Sequence, residues 1–84
     1  MNSKQRKTLN LIYINPTPKS LEWSAIENLL LAIGAKLIEG NGSRVRFYKG
    51  DVIATFHRPH PQKEAKPYQV KDARNFLTQL GVTP

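Results

Sequence analysis

Residues 36–57, KLIEGNGSRVRFYKGDVIATFH, decide the fold of this chain. They contain three short segments whose side chains alternate with period two, separated by the turn formers Gly40-Asn41-Gly42 and Lys49-Gly50-Asp51. The spacing predicts strands over Lys36–Glu39, Arg44–Tyr48 and Val52–His57, joined as an antiparallel meander. In the second strand Val45 and Phe47 alternate with Arg44 and Arg46, so one face is apolar and the other cationic. In the third, Val52, Ala54 and Phe56 point one way, while Ile53, Thr55 and His57 point the other.

On either side of this meander the period lengthens. Upstream, Trp23, Ile26, Leu29, Leu30 and Ile33 recur at helical spacing, and Gly34 supplies the stop. Ser24-Ala25-Ile26-Glu27 has the capping-box pattern for the start of that helix. Ser3–Ile14 predicts a shorter helix, with Ser3 as N-cap, Leu9, Ile12 and Tyr13 on one face, and Pro16 and Pro18 after its end. Downstream, Val70, Ala73, Phe76, Leu77 and Leu80 predict a last amphipathic helix closed by Gly81. The expected fold is therefore α+β: helices packed on one face of a three-stranded antiparallel sheet, in the order α-α-β-β-β-α. With 84 residues there is room for one domain over 1–84, read as an N-terminal extension over 1–21 and a core over 22–84.

Charge narrows the partners. A net charge of +7 and a pI near 10.1 favour polyanions: nucleic acid, an acidic protein or an anionic surface. A membrane is disfavoured, because no apolar run approaches ~20 residues. Met1–Lys7 is basic, but the apolar stretch after it is broken by Asn10 and Asn15, so no secretory signal is expected. The absence of cysteine excludes disulfides and thiolate metal sites and fits a cytoplasmic protein.

Residues 42–68 gather Arg44, Arg46, Lys49, Arg58, Lys63 and Lys66 beside both histidines, His57 and His60. Cleavage of RNA by transesterification needs a base for the 2′-OH proton and an acid for the leaving 5′ oxygen, and imidazole serves either role near neutral pH. His57 and His60 are the candidate catalytic pair, and the six cations are the candidate RNA-binding set. The plainer alternative is that the histidines are polar residues at a strand end and the cations a solvated rim. Two histidines without a carboxylate pair or cysteine supply too few ligands for a metal, and no glycine-rich loop leads into a helix to hold a nucleotide. No cofactor is expected.

Gly42-Ser43, the hairpin that follows, the string His60-Pro61-Gln62-Lys63-Glu64-Ala65-Lys66-Pro67 and the closing Gln79-Leu80-Gly81-Val82 together resemble the HicA-type toxins over about residues 24–82. The resemblance implies a fold like that of a double-stranded-RNA-binding domain. It also implies the activity of an endoribonuclease that cleaves messenger RNA and arrests growth, and a cognate acidic antitoxin of the HicB type. That family carries its catalytic histidine directly after the Gly-Ser, where this chain has Arg44. Arginine binds phosphate but is no base at neutral pH, so acid–base work falls to His57 or His60, with Arg44 and Arg46 holding the phosphate. The alternative on the same scaffold is a module that binds RNA or a partner protein without catalysis.

Overall fold

The computed structural model describes residues 1–84 and has the expected element order: α1 (Ser3–Ile12), α2 (Trp23–Ala32), β1 (Lys36–Glu39), β2 (Arg44–Lys49), β3 (Val52–His57) and α3 (Pro67–Gln79). The three strands form one antiparallel sheet in the order β1-β2-β3, as two tight hairpins dictate. Val45, Phe47 and Phe56 are buried on one face, against Trp23, Ile26, Leu29 and Leu30 of α2 and Val70, Ala73, Phe76 and Leu77 of α3. Trp23 and Phe56 lie with ring centroids 4.9 Å apart, and Phe47 packs edge-on to Phe56 at 6.0 Å. Full burial of each such ring contributes about 2–3 kcal/mol, which makes this aromatic cluster the seam between helices and sheet.

Two helix starts differ from expectation. The N-cap of α1 is Asn2, not Ser3: the Asn2 carboxamide accepts from Gln5 N–H at 2.8 Å, and Gln5 Oε1 accepts from Asn2 N–H at 2.9 Å. Asn at this position completes a reciprocal box that Ser3 would have to form one residue later. In α2 the Ser24–Glu27 box does not form, because the helix begins at Trp23, where the indole enters the core. The Glu27 carboxylate is thereby released for other partners. The stop at Gly34 holds: its φ of +95° is one that side-chain-bearing residues rarely adopt.

The N-terminal segment belongs to the same core. Leu9, Ile12 and Leu21 are buried within it. Arg74 of α3 donates through Nε to the Ile12 carbonyl at 2.8 Å, satisfying a carbonyl left open at the end of α1. Tyr13 Oη donates to the Val82 carbonyl at 2.9 Å and is 2.8 Å from Thr78 Oγ1, which ties the end of α1 to the end of α3.

Candidate nucleic-acid interface

With all helices on one side, the other face of the sheet is open. The register sets its side chains out in three rows. One row runs Lys36–Tyr48–Ile53, the next Ile38–Arg46–Thr55, and the last Arg44–His57, which Gly40 extends by donating its N–H to the Arg44 carbonyl at 2.8 Å. All of these residues are exposed except Tyr48, which is half-buried. Arg58 N–H donates to the Ser43 carbonyl at 2.9 Å, so Arg44 and His57 form a non-hydrogen-bonded pair. In such pairs the Cα atoms approach to about 4.5 Å and the side chains stand closest.

Gly40 has a further role in this row. A Cβ there would lie 2.9 Å from Arg44 Nε and 3.1 Å from the Arg44 carbonyl oxygen, so the arginine side chain lies across space that only glycine leaves. Ile38, Glu39, Gly40, Arg44 and Arg46 line a shallow depression of about 150 Å³ here.

The end of β3 is braced from behind. Gln69 of α3 is 2% exposed, and its Nε2 donates to the His57 carbonyl at 2.6 Å while its Oε1 accepts from Lys66 N–H at 3.0 Å. Arg58, the next residue, turns to the helix side. Its Nε and Nη2 donate to the two oxygens of Glu27 at 3.1 and 3.2 Å, and its Nη1 donates to Glu39 at 2.7 Å. Trp23 Nε1 donates to the same Glu27 at 3.0 Å, so the carboxylate joins the aromatic seam to the strand end. The hydrogen bonds to Glu27 and then Glu39 hold the Arg58 guanidinium well above its ordinary pKa.

The candidate residues therefore separate by face. Arg44, Arg46 and His57 come together on the open face. Lys49 and Arg58 point to the helix side: Lys49 Nζ donates to the Ile33 carbonyl at the end of α2, and Arg58 is engaged by two carboxylates. His60, Lys63 and Lys66 are exposed in the loop before α3. That loop is fixed to the start of α2 by an isolated Glu22–Glu64 bridge, with Trp23 N–H donating to the Lys63 carbonyl at 2.9 Å and Ala65 N–H to the Leu21 carbonyl at 2.8 Å.

Gln69 and Glu27 were not among the candidates from sequence. Glu27 carried a capping pattern that masked its use. Gln69 sits beside Val70 on the buried side of α3, and that position is its only signal. Nowhere do three His, Asp or Glu side chains gather closely enough to hold a metal ion, and no helix is long and apolar enough to cross a membrane. The family model described as the HicA toxin of bacterial toxin–antitoxin systems matches residues 23–82, which run from the first residue of α2 to just past α3. No curated protein and no solved structure matches the chain.

Proposed function

Starting from a chain that belongs to the HicA toxin family of bacterial toxin–antitoxin systems, we propose that it binds RNA on the open sheet face and cleaves it by transesterification at the Arg44–His57 row. The single observation that carries this reading is the direct pairing of Arg44 with His57, one row from Arg46. The family places its catalytic histidine where Arg44 stands, and here an imidazole is offered by the neighbouring strand, in the same row.

In this reading Arg44 and Arg46 hold the scissile phosphate and offset the charge that develops on it. His57 takes the 2′-OH proton as the 2′ oxygen attacks phosphorus. The bond from phosphorus to the 5′ oxygen breaks, and His60, the only other imidazole in the chain, returns a proton to that oxygen. The products are a 2′,3′-cyclic phosphate and a 5′-hydroxyl end. No metal or cofactor takes part. Lys63 and Lys66 extend the electrostatic footprint along the loop, while Lys49 and Arg58 support the scaffold. An acidic antitoxin of the HicB type, acting in the cytoplasm, is the natural silencer for a chain of net charge +7.

Incubating the purified protein with an RNA oligonucleotide, and with the same strand carrying one 2′-deoxy nucleotide at the cleaved position, tests the chemistry. Cleavage of the first and not the second supports it, and loss of cleavage in His57→Ala assigns the residue. Equal cleavage of both strands overturns the mechanism. A second reading, an RNA-binding module without catalysis, is favoured by Arg44 itself. RNA that is bound but left intact would establish it.

A further inference from the structure

The open face carries more than cations. Ile38 and Ile53 keep 48% and 59% of their surface exposed, and the half-buried ring of Tyr48 lies between Lys36 and Ile53 in the end row. Tyr48 and Ile53 thus occupy the row farthest from His57, beside Lys36, and Ile38 stands one row nearer, beside Arg46. Tyr48 stands directly opposite Ile53 and diagonal to Ile38, within reach of both, so its ring links the two exposed isoleucines of the edge strands into one small shelf.

A duplex makes poor use of such a shelf. Double-stranded RNA is recognised through phosphates and 2′-hydroxyls across its shallow groove, and bound here it would bury polar groove atoms against the isoleucines without hydrogen-bond partners. An unpaired strand is matched to it. Its backbone follows the cations, while a splayed base stacks on the tyrosine ring and rests on the aliphatic side chains. Successive rows are two residues apart, about 6.6 Å along the strand, so His57 and Tyr48 are separated by two rows. A strand with its scissile phosphate at Arg44 therefore reaches Tyr48 with a nearby base.

We propose that the Ile38–Tyr48–Ile53 shelf is a base-stacking subsite that restricts this protein to single-stranded RNA. The inference rests on the RNA reading given above and specifies its substrate. The subsite reads the π-face of a base and so has little preference for its identity. Selection is for unpaired structure.

The test is binding of a short fluorescein-labelled, 2′-O-methylated strand, which resists this chemistry, beside the same strand annealed to its complement. The single strand should bind about tenfold tighter or more, the scale of one stacked base. Tyr48→Ala should remove that advantage, and Tyr48→Phe should retain it. Because Tyr48 is half-buried, Ile53→Ser at the exposed edge provides a second variant, which should reduce the advantage without changing the thermal melt. Duplex bound as tightly as the single strand, or variants that weaken both forms alike, would overturn the subsite and leave RNA binding standing. Binding to neither form at low salt would overturn the RNA reading itself.

Discussion

Arg44 and His57 face each other across β2 and β3 on the side of the sheet that no helix covers, in a non-hydrogen-bonded pair. Pairs of this kind hold their Cβ atoms about 4.5–5.5 Å apart, and the Arg44 side chain extends from there over Gly40. In the function proposed above, the imidazole on β3 serves the same row in which Arg44 stands on β2.

This shared row predicts a rescue. His57→Ala should lower cleavage by about a hundredfold or more, the usual scale of acid–base assistance. Adding Arg44→His to that variant should restore part of the activity, because an imidazole on β2 occupies the same row. Single-turnover cleavage of one RNA oligonucleotide by the three proteins measures it. A double variant no better than His57→Ala would show that the two positions do not address one phosphate.

The division of cations between the two faces predicts their salt dependence. Arg44→Ala and Arg46→Ala should each reduce the slope of log binding constant against log salt by about 0.7, the contribution of one phosphate on a single strand. Lys49→Ala should leave the slope unchanged, since its ammonium caps the end of α2. Titrations at several salt concentrations decide the matter, and a slope that falls equally for Lys49 would count against the assignment of faces.

Arg58 is expected to affect stability rather than affinity. Arg58→Met removes the hydrogen bonds to Glu27 and Glu39 and leaves the Glu27 carboxylate, one-fifth exposed, without its main partner. The arginine is itself one-third exposed, so solvent screening limits the cost to about 1 kcal/mol, or about 4–8 °C of melting temperature in a domain of this size. Its raised pKa keeps the guanidinium charged. The folded-state value lies above the unfolded one, so the contribution is complete below the unfolded pKa and is lost only as pH rises through the folded value, in strong alkali. A thermal melt at neutral and mildly alkaline pH should show the same loss at both.

Much of this arrangement was legible in the chain. The alternation of Val45 and Phe47 with Arg44 and Arg46 is a local property of β2, and a period of two fixes which side each faces once one side is buried. The same rule places Lys49 on the Val45 side and Arg58 on the Phe56 side, though charge clustering in sequence grouped them with Arg44. What composition and spacing do not express is competition for a partner. Glu27 matches a capping box, yet burial of Trp23 starts α2 earlier and turns the carboxylate to the indole and to Arg58. The Gln69–His57 hydrogen bond joins α3 to the end of β3, and no local pattern encodes so distant a contact.

Gln69 carries the next prediction. Gln69→Leu keeps approximate volume but leaves the His57 carbonyl and the Lys66 N–H without their partner. Both hydrogen bonds are partly buried, and each such bond contributes about 0.5–1.5 kcal/mol. The variant should melt lower, and amide exchange should accelerate at the β3 end and at the first turn of α3. Unchanged exchange at both places would mean that the backbone there is held by other contacts.

The N-terminal helix gives the last. It lies outside residues 23–82, yet Ile12 is 0% exposed and Leu9 only 4%. Ile12→Ala should cost about 2–5 kcal/mol, because α1 is tied through Arg74 and Tyr13 and cannot easily collapse into the space left. Tyr13→Phe removes only the hydroxyl contacts to Val82 and Thr78 and should cost about 1 kcal/mol. Urea unfolding of the full chain and the two variants measures both values. If α1 were an appendage resting on a self-sufficient core, Ile12→Ala would leave the midpoint where it is. Its burial among Leu21, Leu29 and Leu77 in one core predicts the opposite.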